Sequence, residues 1–528
     1  MLPPRLANHL WHLSGMGHHR RFQSALIGPS PTQRRLLLAL LKRNADTTFG
    51  HSHRFASIRS IADFQDAVPL SEYDDYVPAI DRIARGEPNI LTRDPVTRLV
   101  PTSGSTSARK LIPWTAGLQR ELNRAIAAWT GDLFRRTPSL KAGPAYWSVS
   151  PAIAETQPAD FKVPVGFDDD TDYLAGLAGK VIGGIMAVPP TVRHLADTDT
   201  FRLHVLLHLV AARDLRLISV WHPTFFTLLL DSLPSHWEAI VEALRTGVIP
   251  DLSPRALHAG FQKSFRPDPN RADELSSLAP DQPGAIWPDL ALLSAWGDPT
   301  APEVRDLTRR FPNTPFQPKG ILATEAFASI PFRRRHPLAI TSHFFEFLDD
   351  NGRIHLAHEV KTGQRYEVVV TTSGGLYRYR LRDQVDVTGF LENTPCLRFA
   401  GRAGNVSDLR GEKLDPRFVA DTIDRITHSF ADTIRFRVLT VDPDADPPGY
   451  TLILVADPTP DLDHLAANLE TALCENPHYR LCRFLGQLAP ARTRLESPGF
   501  IDRHFTEQAS SGRILGNIKP GILTSPST

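Results

Sequence analysis

The sequence predicts an α/β protein: a large amino-terminal α/β domain followed by a small carboxyl-terminal α+β domain. Two observations carry this. Helical periodicity alternates with short apolar runs through the first half of the chain, and the pattern changes to strand alternation towards its end. From Thr115 to Gly131, Leu118, Leu122, Ala125, Ile126 and Trp129 recur at three- and four-residue spacing and form one apolar stripe on a helix. Val181 to Val188 and Leu215 to Val220 read as buried strands, and Phe201 to Arg213 as a helix preceding the second of them. Between Arg365 and Phe390, Tyr366, Val368 and Val370 alternate with other residues. Ser373-Gly374-Gly375 then interrupts before Leu376 to Leu381 alternates again, which predicts a β-hairpin. Beyond about Arg402 come two strands, Ile434 to Val441 and Tyr450 to Ala456, and an amphipathic helix near Leu462 to Leu473. This last part, roughly 125 residues, has the size of an independent unit.

Composition bounds the function. The 528 residues exceed one compact core, and 41% hydrophobic with 22% charged residues is ordinary globular usage. Lys plus Arg total 59 against 58 Asp plus Glu, so a net charge of +1 offers no field to attract nucleic acid. The three cysteines, Cys396, Cys474 and Cys482, are too scattered for a disulfide framework or a CxxC metal site, and a reducing cytoplasm fits them. His18-His19-Arg20-Arg21 interrupts the amino terminus where a secretory peptide needs an apolar run, and no stretch is apolar enough to span a membrane. An exported or membrane protein is therefore not expected.

The strongest local signal is Thr102-Ser103-Gly104-Ser105-Thr106-Ser107-Ala108-Arg109-Lys110, after the apolar Leu99-Val100 and before the first predicted helix. Hydroxyls and a glycine let backbone approach phosphate closely, amides and a helix N-terminus offer donors, and Lys110 adds a compact charge. Alone, the segment is equally a polar turn that caps a helix, and it lacks the GxxxxGK[ST] spacing of a Walker A loop. Ala323-Thr324-Glu325 offers a carboxylate able to hold magnesium. Asp383, closing Tyr377-Arg378-Tyr379-Arg380-Leu381-Arg382-Asp383, is placed to accept ribose hydroxyls or to pair with Arg380 or Arg382. Phe399 to Lys413 is a glycine- and charge-rich connector, and Gly516-Asn517-Ile518-Lys519-Pro520-Gly521 sets one lysine in a loop. His204 and His208 lie one helical turn apart without the glutamate of HExxH, so they read as helix-face residues. Arg333-Arg334-Arg335-His336 reads as a solvated loop, and the aromatics from Trp221 to Phe226 as core or as the lining of an acyl pocket.

In this order and separation the segments resemble the adenylate-forming superfamily, with its TSGTTGxxK phosphate loop, TE pair, YxxGD-type aspartate and GRxxxxIxxxGEK hinge. Within it, Thr48-Phe49-Gly50, Phe64 to Leu70, Arg109 to Pro113, Ser219 to Phe225 and Gly375 to Tyr379 make the chain similar to the auxin-responsive acyl acid amido synthetase family, as a bacterial-type member. The resemblance implies a large adenylation domain, residues 1–402, with a β-barrel-like subdomain, and a small mobile lid domain, residues 403–528. It implies ATP and magnesium as cofactors, and a small carboxylic acid and an amine or amino acid as substrates, with neither nucleic acid nor membrane as partner. Ser103, Gly104, Ser105, Thr106 and Ser107 would wrap the ATP phosphates with Lys110 nearby. Thr324 and Glu325 would contact nucleotide and magnesium, Asp383 and Arg402 would hold the ribose, and Lys519 would be carried in to stabilise charge on the α-phosphate. Glu325 and Lys519 are thus the implied catalytic pair. The chain departs from the pattern at Arg382 and Ser107, which stand where glycine is usual, at Ala323 for a serine, and at Pro520-Gly521. Two other readings share the nucleotide chemistry: an acyl- or aryl-CoA ligase, and a nucleotide-binding regulatory protein without turnover.

Overall fold

In the computed structural model the described residues are 2–102, 110–147, 158–166, 183–195, 197–249, 265–403, 406–442, 445–510 and 521–524. Among the described residues, fifteen strands are distributed over four sheets. The strands are β1 (Val96–Pro101), β2 (Leu111–Thr115), β3 (Ala145–Trp147), β4 (Leu217–Ser219), β5 (Leu292–Ala295), β6 (Phe316–Pro318), β7 (Phe344–Leu348) and β8 (Ile354–Leu356). They continue with β9 (Arg365–Thr371), β10 (Tyr379–Leu391), β11 (Thr394–Arg402), β12 (Ile434–Asp442), β13 (Gly449–Ala456), β14 (Arg492–Leu495) and β15 (Leu523–Thr524).

The central sheet, in the order β3-β4-β5-β6, is wholly parallel. Every residue of β4 and β5 is buried, as a parallel sheet covered on both faces requires. Ile218 and Leu293 face one apolar core with Phe201, Leu206 and Phe226, while Leu217 and Leu292 face another with Trp11 and Phe134. The alternation along each three- or four-residue strand thus sends successive side chains to opposite layers. The helix Thr198–Ala211 is buried along most of its length because it lies inside the first of these cores. His204 and His208 lie on it, and burial lowers both imidazoles to about 4.

The helix predicted from Thr115 runs from Ala116 to Arg136, with the Thr115 hydroxyl accepting from Leu118 N–H at 3.1 Å. The predicted hairpin is present: β9 and β10 pair antiparallel, inside the sheet β11-β10-β9-β7-β8. Irregular register between Arg380 and Gln384, and twice more against β11, bends this five-stranded sheet, which does not close into a barrel among the described residues. The strand expected from Val181 to Val188 is not formed within its described part. Residues 181–182 lie outside the described residues, and from Gly183 onward only an isolated bridge joins Met186 to Ala145. Gly183-Gly184 supplies no side chains to pack there, so the apolar run turns beside β3 instead of extending it. Arg333 and Arg334 hold φ of 49° and 60° in a tight turn that Phe332 and Arg335 close.

In the carboxyl-terminal part, β12 and β13 are antiparallel, and β15 and β14 join them in parallel at the two edges. Leu439, Val441, Leu452 and Leu454 point to a core shared with the helices Pro416–Ile426 and Leu462–Leu473. Phe436, Val438, Ile453 and Val455 point the other way, onto Ile501 and Phe505 of the helix Gly499–Ser510 and onto Leu228 of the helix Pro223–Thr246. Ion pairs border that second face: Asp231 with Arg310 at 2.8 Å and Arg435 at 2.7 Å, and Arg202 with Asp502.

Candidate active site

Strands β1 and β2 form an antiparallel hairpin, closed by Thr102 N–H donating to the Lys110 carbonyl at 2.9 Å. Ser103, Gly104, Ser105, Thr106 and Ser107 lie outside the described residues, between these two anchors. The sequence placed this loop directly before a helix. Strand β2 intervenes, because Leu111-Ile112-Pro113-Trp114-Thr115 pairs with β1 before Thr115 starts the helix. The helix N-terminus belongs to another contact, where Thr115 donates to the Ser373 carbonyl at 3.0 Å.

Lys110, at the end of the loop, lies with Nζ 3.5 Å from the Tyr379 hydroxyl and 5.6 Å above the Tyr73 ring. Tyr73 is held by Leu111 N–H donating to its hydroxyl at 2.7 Å. Thr324 and Glu325 occupy a turn whose ends are joined by Ala323 N–H donating to the Ala326 carbonyl at 2.9 Å, flanked by a bridge between Leu322 and Phe327. Glu325 is 4% exposed. Burial pushes its carboxyl above the ordinary value, Asp383 adds to the rise, and Arg402 and Lys110 oppose it. Asp383 and Arg402 face each other across β10 and β11 as register partners, with an ion pair of 3.6 Å. Tyr379 is buried at the centre; burial raises its phenol, Glu325 raises it further, and Arg402 opposes.

The structure therefore brings Lys110, Glu325, Asp383 and Arg402 into one electrostatic neighbourhood, with Thr324 on the same turn as Glu325. Lys519 lies outside the described residues; the segment holding it is bounded by the helix Gly499–Ser510 and by β15, which pairs with β12. The alternative pairing of Asp383 with Arg380 or Arg382 is not the one formed. Arg380 pairs with Glu367 at 2.7 Å and Glu72 at 3.2 Å, and Arg382 pairs with Glu72. Sequence reading missed Tyr73 and Tyr379. Tyr379 stood inside a motif already noted, but only the pairing of β9 with β10 points it at Lys110.

Arg382, where the pattern has glycine, adopts φ of +63° in the irregular stretch of β10. The backbone keeps the left-handed conformation that glycine supplies elsewhere, at a cost of about 1–2 kcal/mol. Its surface pairing with Glu72 offsets at most about 1 kcal/mol. Arg382→Gly is therefore expected to raise stability by about 0.5–1 kcal/mol. A urea midpoint that falls instead would show the Glu72 pairing to be worth more than the strain.

Past β11 the connector is built at both described ends. Ser407 and Leu414 form a bridge, and Glu412, fully buried, accepts from Leu409 N–H at 2.7 Å, Arg410 N–H at 2.8 Å and the Tyr450 hydroxyl. The Glu412 of the hinge pattern is thus a structural knot of the carboxyl-terminal part.

Three domain families cover the chain: the GH3 family N-terminal domain at residues 18–315, central domain at 336–402 and C-terminal domain at 417–527. The indole-3-acetic acid-amido synthetase GH3.6 of Arabidopsis thaliana is 22% identical over 444 residues, covering 72% of this chain and 69% of that protein. The jasmonoyl–L-amino acid synthetase JAR6 of Nicotiana attenuata is 23% identical over 428 residues, covering 72% and 70%. Among solved structures, GH3.15 acyl acid amido synthetase in complex with 2,4-DB superposes with a TM-score of 0.83 at 22% identity, over 97% of this chain and 94% of that one. A 2-hydroxyisobutyryl-CoA ligase in its postadenylation state gives 0.53 at 12% identity, over 95% and 89%. With its N-terminal family domain alone spanning more than half of the residues, and the central and C-terminal domains following in order, the chain belongs to the GH3 family.

Proposed function

We propose that this protein is an ATP-dependent acyl acid amido synthetase that adenylates a small carboxylic acid and passes the acyl group to an amine, in particular an amino acid. The observation that carries this reading is the convergence of Lys110, Glu325, Asp383 and Arg402, from distant parts of the chain, around Tyr379. In the first half-reaction a carboxylate oxygen bonds to the α-phosphorus while the bond to the bridging oxygen breaks, and pyrophosphate leaves. Two anions meet there, so positive charge and alignment come first. Lys110 sits where a phosphate oxygen is neutralised, and Asp383, oriented by Arg402, accepts from ribose hydroxyls. Ser103 to Ser107 supply hydroxyls and amides to the phosphates, and Thr324 a hydroxyl beside them.

Glu325 fits a magnesium ion: it is a hard oxygen donor, buried, with its charged form disfavoured until a cation joins it. Magnesium there would neutralise phosphate charge. In the second half-reaction the amine nitrogen bonds to the activated carbonyl carbon, the bond to AMP breaks, and the amine releases a proton. A turn of residues 403–528 about the connector between Arg402 and Ser407 brings Lys519 in for adenylation and withdraws it for transfer. Among the described residues no helix is long and apolar enough to cross a membrane, and the three cysteines are free, in keeping with work in a reducing cytoplasm.

The test is pyrophosphate release with ATP and magnesium over a panel of carboxylic acids, with amino acids or CoA added in parallel. Amide product that appears with amino acids and falls about a hundredfold to a thousandfold in Lys519→Ala is expected. A CoA thioester would replace the reading by a ligase, and ATP binding without turnover by a regulatory protein.

A further inference from the structure

The four parallel strands end in one row. Trp147, Ser219, Ser294 and Gln317 are successive register partners across β3, β4, β5 and β6, so their side chains share a face. That face looks onto the helix Ala116–Arg136, whose Trp129 indole N–H donates to Gln317 Oε1 at 2.9 Å. Lys319 follows β6, fixed by its N–H donating to the Ala295 carbonyl at 2.8 Å. Its Nζ donates to Ser219 Oγ at 2.8 Å and lies 4.8 Å from the ring centre of Trp221, 5.7 Å from Trp129 and 5.8 Å from Trp147. Lys319 is 9% exposed, and Ser294 Oγ is buried without a hydrogen-bond partner among the described residues.

An ammonium has three protons to donate, and here one of them meets an oxygen among the described residues. Burial pulls the lysine down to about 7, and among the described residues no charged group contributes to that shift. A buried cation without a counter-charge destabilises a fold, and aromatic faces offset only part of the cost. Ligands of parallel sheets bind beyond the carboxyl ends of the strands, and Lys319 with the tryptophans around it stands at those ends.

Resting on the adenylating reading above, we propose that this recess receives the non-reacting end of the acid, and that Lys319 determines specificity by selecting a flat aromatic acid with a second carboxylate remote from the reacting one. The tryptophans hold the ring, and Lys319 and the Ser294 hydroxyl donate to the remote carboxylate.

The recess carries its own reporter in its tryptophans. Quenching of tryptophan fluorescence, without ATP, measures binding of phenylacetate and of 4-carboxyphenylacetate to the wild type and to Lys319→Met. The wild type is expected to bind the diacid at least about tenfold more tightly. Lys319→Met should erase that preference while leaving phenylacetate bound as before. In the wild type alone, diacid affinity should fall as pH rises above about 7, where the free lysine loses its proton, and phenylacetate affinity should not. This measurement stands even if the variant does not fold. Equal affinities in the wild type, equal losses for both acids in the variant, or a pH-independent preference would each overturn the proposal. Pyrophosphate release run beside it separates the two levels. Lysine-dependent binding without pyrophosphate sinks the adenylating reading alone, whereas pyrophosphate from both acids regardless of Lys319 sinks the recess alone.

Discussion

Glu325→Gln is expected to slow pyrophosphate release about a hundredfold to a thousandfold and, at the same time, to make the unliganded protein more stable above the ordinary carboxylate pKa. On the proposed role, the loss would follow from removing a buried carboxylate placed to hold a cation against the phosphates, a contribution of several kcal/mol, with each 1.4 kcal/mol worth roughly tenfold in rate. The gain follows from the raised carboxyl pKa. Between the ordinary and the raised value the folded protein keeps a proton that the unfolded chain has released. Wild-type stability therefore declines as pH climbs through that window, and is full below it. Glutamine has no such window. Urea unfolding at pH 4 and pH 7, beside steady-state pyrophosphate release with titrated magnesium, measures both signs. A variant less stable than wild type at pH 7, with unchanged magnesium dependence, would make Glu325 a packing residue.

Glu346→Ala is expected to cost about 3–5 kcal/mol of folding stability, the usual consequence of leaving one member of a buried ion pair alone. Glu346 and Arg378 lie 3.1 Å apart with side chains 1% and 7% exposed. Arg378 also donates to the carbonyls of Val68 at 2.7 Å and Gln65 at 2.9 Å, and the Gln65 amide donates back to Glu346 at 2.8 Å. The pair thus ties the stretch just beyond the helix Ile61–Ala67 to β7 and to the turn before β10, and it stands next to Tyr379 in the chain. Pairing Glu346→Leu with Arg378→Met should restore part of the loss in chemical denaturation, because an apolar pair of similar volume needs no counter-charge, while the Val68 and Gln65 carbonyls lose the Arg378 donor. Equal loss in the single and double variants would refute this account.

Much of the fold was legible because binary patterning survives without tertiary knowledge. Leu462–Leu473 is a helix at the predicted boundaries, and the two-residue period of β13 divides Leu452 and Leu454 from Ile453 and Val455 onto opposite faces. What failed was local geometry. Gly183-Gly184 dissolved an apolar run that composition alone reads as strand, and β2 hid between a loop and a helix because five residues carry little periodic signal. The resemblance set Asp383 and Arg402 at one ribose, but their direct ion pair could not be read from the residues. The irregular register from Arg380 to Gln384 breaks the alternation from which facing residues are counted, and Arg402 arrives from a strand that only pairing can place. Lys319 had no local signal beyond a lysine between proline and glycine; its meaning comes from tryptophans on three separate elements.

The second face of the carboxyl-terminal sheet has a further consequence for how the two parts can move. Its apolar cover is supplied almost entirely by Ile501 and Phe505, which belong to the same part as the sheet, and Leu228 is the large part's contribution to that cluster. Beside it the His222 ring lies 6.2 Å from that of Phe505, and the ion pairs of Arg202 with Asp502 and Asp231 with Arg435 cross between the parts, groups that water solvates readily once parted. Separation would wet Leu228, on the order of 2 kcal/mol, together with the facing rings of His222 and Phe505, and exchange ion pairs for hydration. Such a boundary is held more by ion pairs than by shared apolar burial.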